Sequence, residues 1–204
     1  MAVTYLLLLN LLFTQLLTPR QGPPADGHRL PAGVAAPSQP AKPAPAPPIP
    51  WSATRPLAIA DFLARPAYSD RMASSTSSDI KAGAACRDFV FTGTVQATFD
   101  PNTSWFRDPK NASAALLRHE QLHFDITEVY ARIMRQRMVG FQARANCLKL
   151  QPAFNNFTKG VYSEWDREQN RYDQETNHGL NAVRQAFWEK QTQLKLTQLQ
   201  AFAQ

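Results

Sequence analysis

The sequence predicts an α+β domain, with a small antiparallel sheet early in the chain and long helices in its second half. Residues 88–99 alternate aromatic or β-branched residues with small polar ones, which indicates one strand or a strand pair kinked at Gly93. Residues 113–138 carry apolar side chains at helical spacing, and Ser113 provides an N-cap. Strands that precede the helices, instead of alternating with them, favour an antiparallel sheet.

Two further helical segments are expected in the C-terminal third. After Gly140 the chain should turn, and it should become helical again from about Val161. Gly179 is expected to interrupt or bend that run. The segment 182–202 carries large apolar residues at helical spacing, which predicts the side that faces the core. These residues are Val183, Phe187, Leu194 and Leu199.

The N-terminal quarter has a different composition from the rest of the 204-residue chain. Residues 1–21 contain an apolar stretch, 5–17, that is short for a membrane-spanning helix, so they are predicted to be a signal peptide or an uncleaved N-terminal anchor. Residues 22–50 hold ten of the sixteen prolines and predict a disordered, extended linker. The folded domain is therefore expected at 51–204, in a secreted or periplasmic protein.

Cysteine usage and net charge limit the classes of function. Export would place Cys86 and Cys147 in an oxidising compartment, where a disulfide is expected, the alternative being two buried thiols. The net charge of +6 is not gathered into a basic block, which argues against a nucleic-acid partner. Membrane contact is expected only through the N-terminal segment, if that segment is uncleaved.

The sequence His119-Glu120-Gln121-Leu122-His123 lies within the predicted helix. This spacing puts two imidazoles one turn apart on one face, where both can bind the same Zn²⁺ ion, and the glutamate can take a proton from the water that the ion activates. Both histidines fall in the apolar stripe of the helix, where an imidazole without a partner is costly. Glu128 and Arg132 are predicted on the opposite, polar face. The motif predicts a zinc metallopeptidase with Glu120 as general base and with peptides or proteins as substrates.

A third zinc ligand must come from elsewhere in the chain. His178, beside the expected helix break, is the first choice, and Glu175 is its main competitor. Alternatively, His178 is held by Asp173 and donates a hydrogen bond to the reacting oxyanion. Asp173 is otherwise expected to orient a ligating imidazole. Tyr172 and Tyr130 are either helpers at the oxyanion or core aromatics.

Four blocks of the sequence also resemble a bacterial family of predicted secreted zinc-dependent proteases that is catalogued as a domain of unknown function. They are residues 57–62, 99–105, 117–126 and 172–179, followed by Gln185 and Trp188. The resemblance implies a secreted or periplasmic protein with a zincin-like active-site helix packed on the sheet. It also implies metal-ligand roles for His119, His123 and His178, and the base role for Glu120.

Two non-enzymatic functions remain as alternatives. The first is an exported domain whose zinc is structural or serves binding to components of the cell envelope. The second is a tethered adaptor that uses its C-terminal helix as a protein-binding surface. Substitution of Glu120 separates the peptidase from the first alternative, because only catalysis needs a base.

Overall fold

The computed structural model describes residues 44–204, and within them the predicted α+β class is confirmed. The predicted signal peptide or anchor, 1–21, and most of the predicted linker, 22–50, lie outside these residues. The strands are β1 (Ile49–Pro50), β2 (Ser74–Ser75), β3 (Ser78–Arg87), β4 (Val90–Phe99) and β5 (Trp105–Phe106). The helices are α1 (Ala114–Gln142), α2 (Leu150–Thr176) and α3 (Ala182–Gln198), with 3-10 turns at Ile59–Asp61, Cys147–Lys149 and Gln200–Phe202.

The largest element of sheet is a hairpin of β3 and β4, which pair antiparallel over their full lengths. Its two-residue turn has positive φ at Asp88 (50°) and Phe89 (60°), as tight hairpin turns require. β4 runs unbroken through Gly93, so the alternative of a kinked strand pair is wrong. Any side chain at Gly93 would collide with the sulfur of Met138, and glycine thus allows α1 to approach the sheet closely. β3 was not predicted, because its run of alanine and glycine gives no alternation of polarity.

β1 lies on the other edge of β4, pairing Ile49 with Phe99. Trp51 continues the contact, since its backbone N–H donates to the Ala97 carbonyl at 3.0 Å. The last two residues of the predicted linker, Ile49 and Pro50, therefore belong to the sheet. The physical reason is that Ile49 and Trp51 pack against the hydrophobic core, which the proline-based argument did not consider.

The core forms where one face of β4 packs on α1. Alternate residues of β4 are buried, as the period of a strand requires: Phe91, Val95, Ala97 and Phe99. α1 begins where predicted, with the Ser113 hydroxyl accepting from the Leu116 N–H at 3.1 Å, and it extends four residues beyond the predicted end. Because α1 also contacts α2 and α3, it is the central element of the domain.

The polar face of α1 lies opposite the apolar stripe, as predicted, but its residues Glu128 and Arg132 are buried as well. Glu128, 2% exposed, accepts from Arg132 Nε at 2.8 Å and from Arg135 Nη1 at 3.0 Å. The guanidinium groups also donate to main-chain carbonyls, Arg132 to Leu196 and Arg135 to Phe202, each at 2.7 Å. This cluster of one carboxylate and two guanidiniums therefore attaches the C-terminal residues to α1.

Glu128→Ala is expected to lower the free energy of unfolding by about 3–5 kcal/mol, because it leaves two largely buried guanidiniums without their carboxylate. Urea denaturation of the purified protein measures the change. Glu164→Ala is the matched control, since it removes a largely exposed pair with Arg137. That control should cost about 1 kcal/mol or less. Equal costs for the two variants would contradict a structural role for the buried cluster.

α2 begins at Leu150, well before the predicted start at about Val161. Pro152 lies in the segment that was expected to turn before Val161, but it occupies the first turn of the helix, where its missing N–H is no loss. α3 begins behind an Asn181 N-cap, and its buried face carries Gln185, Trp188, Thr192 and Leu196. The predicted core side of this helix is wrong at three positions, since Val183, Phe187 and Leu194 are 80%, 46% and 46% exposed.

Cys86 and Cys147 form the expected disulfide, which joins the end of β3 to the 3-10 turn between α1 and α2. A hydrophobic cluster of three phenylalanines, Phe141, Phe154 and Phe157, packs where α1 meets the start of α2. Within residues 44–204, no helix has the length and apolar character needed to cross a membrane.

Candidate metal centre

The middle of α1 and the end of α2 bring two imidazoles and one carboxylate together. His119 and His123 lie one turn apart, with ring centroids separated by 4.8 Å. Asp173 faces both from α2, its Oδ1 lying 3.0 Å from His123 Nε2 and 3.2 Å from His119 Nε2. One ligand atom from each of the three residues lies within 4.8 Å of the others. This group could therefore hold a metal ion.

The second nitrogen of each imidazole faces a side-chain amide. His123 Nδ1 is 2.7 Å from Gln169 Oε1, and His119 Nδ1 is 3.3 Å from Gln185 Oε1. An acceptor at Nδ1 fixes the hydrogen there and leaves Nε2 to bind a cation, as partners of metal-binding histidines do. Neither glutamine was assigned this role from the sequence, although Gln185 belongs to a block of the family resemblance.

Neighbouring groups set the orientation of both amides. Gln169 Nε2 donates to the His123 carbonyl at 2.9 Å and to Thr127 Oγ1 at 3.0 Å, so its oxygen must face the imidazole. Gln185 Oε1 accepts from the Tyr172 hydroxyl at 2.8 Å, while its Nε2 donates to Glu189 at 3.1 Å. Both imidazoles thus meet acceptors at both nitrogens. Something positive, either protons or a metal ion, must lie between each Nε2 and the Asp173 carboxylate.

The contacts between the two imidazoles and the Asp173 carboxylate shift the pKa values of Asp173 and His123. For Asp173, burial is the largest influence and opposes ionisation, but hydrogen bonds and charge from His119 and His123 outweigh it and hold the pKa well below its ordinary value. For His123, burial disfavours the charged ring, yet the hydrogen bond and charge of Asp173 prevail and raise its pKa. The cluster is therefore electrostatically suited to hold a cation.

Glu120 lies beside the cluster and is 3% exposed. It lines a cavity together with His119, His123 and Asp173. Its Oε1 accepts from the Ser74 hydroxyl of β2 at 2.5 Å. Its Oε2 is the one buried side-chain oxygen or nitrogen, within residues 44–204, that has no hydrogen-bond partner. A buried carboxylate oxygen without a partner is costly, and such exceptions are typical of functional sites. Both imidazoles, Asp173 and Glu120 fit a metal ion and the water that it would activate.

The segment after α2 forms one wall of the site. Asn177, His178 and Gly179 all have positive φ, at 49°, 52° and 80°, a left-handed run that ends the helix where Gly179 was expected to interrupt it. Gly179 packs directly against His119, because a Cβ at this glycine would lie 3.0 Å from both Cβ and Cγ of the histidine. The turn thus helps to fix the position of a candidate ligand.

Gly179→Ala is expected to destabilise the protein and to weaken metal binding, since the new methyl group meets His119 and the backbone is left-handed. The backbone effect alone costs about 1–2 kcal/mol. Thermal unfolding and zinc titration measure the two effects. Gly160→Ala is the matched control: it lies inside α2 with no atom within 4 Å of the new methyl group, so it should be neutral or stabilising.

Metal affinity is expected to fall as the pH is lowered. A metal ion binds only the neutral imidazole, and the pKa of His123 is raised, so protons compete with the metal from a higher pH than for an ordinary histidine. The dissociation constant should rise about tenfold per pH unit for each proton displaced, below that raised pKa. Histidines titrate at roughly pH 5 to pH 8, so competitive titration with a zinc-sensitive dye over this range measures how the dissociation constant changes with pH. An affinity independent of pH would contradict binding through His123.

The remaining predicted site residues have different surroundings. His178 lines the cavity, with its side chain 48% exposed and its Nδ1 3.4 Å from Asp173 Oδ1, but it lies outside the compact group of three. Glu175 is outside the cluster, and its carboxylate accepts hydrogen bonds from the side chains of Arg184 and Trp188. Tyr172 stacks on His119 and directs its hydroxyl at Gln185, and Tyr130 is a buried core aromatic whose pKa burial raises to about 12. Neither tyrosine lines the cavity.

The cavity at the cluster is small, with a volume of about 140 Å³. Its walls come from α1, from the end of α2 with His178, and from residues 70–76, which include β2. That volume suits an ion and a few waters rather than a whole peptide. A larger ligand would therefore reach the cluster with only one of its groups.

Comparison with known proteins places the site within a family. A family model described as a bacterial protein of unknown function (DUF922) matches residues 75–179, just over half of the chain. No match to the chain was found among curated proteins or among solved structures. The matched range contains His119, Glu120, His123, Asp173 and His178. The chain therefore belongs to the bacterial family of unknown function DUF922.

Proposed function

We propose that this protein is an exported zinc-dependent metallopeptidase. The observation that carries the proposal is the convergence of His119 Nε2, His123 Nε2 and an Asp173 oxygen beside the buried carboxylate of Glu120. Two imidazole nitrogens and one carboxylate oxygen are the ligand set of several hydrolytic zinc sites, which leave the fourth position for water. A structural zinc site, by contrast, has four protein ligands and no need of a nearby base.

The donor types support zinc as the metal. Imidazole with a single carboxylate suits Zn²⁺, whereas Mg²⁺ and Ca²⁺ prefer sites made of oxygen ligands. When bound, zinc supplies a Lewis acid that polarises a carbonyl group and acidifies water. The acceptors at both Nδ1 atoms, from Gln169 and Gln185, would hold the two rings in position.

Glu120 is the proposed general base. The Ser74 hydroxyl holds its Oε1, and its Oε2 has no protein partner, so Oε2 is the atom that would accept the proton from the attacking water. The same oxygen would then deliver this proton to the leaving amine, which completes hydrolysis of the amide bond. A carboxylate already fixed by one hydrogen bond loses little conformational freedom in that step.

His178 is proposed to donate a hydrogen bond to the carbonyl oxygen of the substrate. Its ring lines the cavity, and Nδ1 lies 3.4 Å from the Asp173 carboxylate, which favours the tautomer with a hydrogen on that nitrogen. Its exposure lets it contact a ligand at the mouth of the cavity. This assignment makes Asp173 the third ligand and gives His178 the alternative role that the sequence allowed.

We further propose that the protein acts outside the cytoplasm, as a secreted or periplasmic protein. The disulfide between Cys86 and Cys147 supports this location, because such bridges form and persist in oxidising compartments. The N-terminal apolar segment would direct export. Peptides or exposed segments of proteins in that compartment would be its substrates.

The test is a hydrolysis assay on the full chain, with and without zinc. Zinc-loaded protein should bind about one equivalent of metal at the three-ligand site and cleave a mixture of unfolded protein substrates. A chelator should abolish cleavage, and added zinc should restore it. Protein that keeps one zinc ion but cleaves nothing would favour the non-catalytic, zinc-binding alternative, and protein that binds no zinc would refute both.

A further inference from the structure

A second, larger cavity adjoins the cavity at His119, His123 and Asp173, which we call the metal cavity. Its volume is about 410 Å³, whereas the volume of the metal cavity is about 140 Å³. The two cavities share Met72, Ala73, Leu116 and His178 in their walls, so they lie side by side. We call the larger one the side groove. It lies between the segment 71–73, the first turn of α1, and the turn that follows α2.

The side groove is lined mainly by apolar groups. Leu116 lies at its junction with the metal cavity, Ala115 is an exposed residue of the same helix turn, and Gly179 contributes backbone only. Met72 and Leu180 are 37% and 80% exposed, although large apolar side chains are usually covered in the folded state. Among the lining residues, Arg71 and His178 carry the side chains that can be charged.

We propose that the side groove binds a large apolar side chain, such as leucine, phenylalanine or methionine, next to the bond that is cleaved. This inference rests on the proposed peptidase function and adds a substrate class to it. The wall that the groove shares with the metal cavity supports a side chain of the same peptide rather than a separate ligand. His178, shared by both cavities, would lie between the carbonyl under attack and this side chain.

Burial of the side chain predicts the size of the preference. The groove is large enough for a leucine or phenylalanine side chain, and the loss of even one methylene group from an apolar pocket changes kcat/KM by roughly 10-fold to 200-fold. Peptides with leucine or phenylalanine beside the scissile bond should therefore be cleaved better by this factor than the same peptides with glycine or aspartate.

The test uses zinc-loaded full-length protein and two peptides that differ only in leucine or glycine at one position. That position lies beside the scissile bond found with a peptide library, or at the centre of the peptide if the library is not cleaved. Ala115→Phe should fill the side groove and reduce kcat/KM for the leucine peptide about tenfold, with little change for the glycine peptide. Ala114→Phe is the matched control, because Ala114 is exposed in the same turn but does not line the groove.

Binding of the two peptides to zinc-loaded Glu120→Gln protein, followed by fluorescence anisotropy, separates this inference from the proposed function. Cleavage without preference for leucine, and equal binding of both peptides, would overturn the inference and leave the peptidase function standing. No cleavage, with leucine-selective binding that Ala115→Phe removes, would refute the peptidase and support the groove. No cleavage and no selective binding would refute both.

Discussion

Glu120→Gln is expected to reduce peptide hydrolysis by about 10²-fold to 10⁴-fold, the usual contribution of a positioned general base. The amide has nearly the same shape as the carboxylate, and its oxygen can still accept from the Ser74 hydroxyl. It cannot take a proton from water, however, so the loss should appear in kcat. Zinc content should stay near one equivalent, because Glu120 is outside the group of three candidate ligands.

The matched control for this variant is Glu164→Gln, which changes an acidic residue on α2 that pairs with Arg137 away from the metal cavity. Both proteins would be assayed for hydrolysis by peptide fluorescence and for zinc by atomic absorption. A Glu120→Gln protein as active as the control would show that another group is the base. Loss of zinc along with activity would show that Glu120 supports metal binding instead.

Asp173→Ala is expected to raise the zinc dissociation constant on the order of 100-fold or more, because it removes one of the three candidate protein ligands. His178→Ala should change the dissociation constant less than about tenfold, since a residue that only contacts a ligand contributes less to metal affinity than the ligand itself. Competitive titration with a chromogenic chelator measures both. The comparison decides between the ligand that the geometry favours and the one that the sequence predicted.

The result for each variant has a clear alternative reading. If His178→Ala weakens zinc binding as much as His119→Ala while Asp173→Ala does not, then His178 is the third ligand and Asp173 orients it. Glu175→Gln should leave zinc affinity unchanged, because Glu175 is bonded to Arg184 and Trp188 away from the cluster. Thermal unfolding of each variant would show whether a change in affinity reflects loss of structure.

The sequence predicted that His119 and His123 lie together in the candidate site because local rules determine this arrangement. Helical periodicity and the Ser113 cap located α1, and the spacing of His119 and His123 on one helix guarantees that both face the same side. The turn at Gly179 followed from its place at the end of an otherwise helical run. These features depend on residues within one or two turns of each other, so no knowledge of the tertiary fold was required.

Contacts between distant parts of the chain could be predicted only in part. Asp173 was expected to orient an imidazole, but its position between the Nε2 atoms of His119 and His123 was not predicted. Asp173 lies 50 residues from His123, and Gln185 lies 66 residues from His119, so their contacts depend on how α2 and α3 pack. The same packing buries Gln185 and exposes Val183 and Phe187, although apolar spacing alone favours the reverse. Burial of Glu128 likewise depends on guanidinium groups and on C-terminal carbonyls that no local pattern brings together.

The covalent link between Cys86 and Cys147 encloses β4, β5 and all of α1 in a loop with a sequence separation of 61 residues. Closing a loop of that length restricts the unfolded chain and favours the folded state by about 4 kcal/mol in the chain-entropy description. That is a large share of the roughly 5–15 kcal/mol that holds a typical domain folded. The motif proposed to bind the metal lies inside this loop, so reduction of the disulfide by an agent that does not itself chelate zinc should lower zinc retention, although no candidate ligand changes.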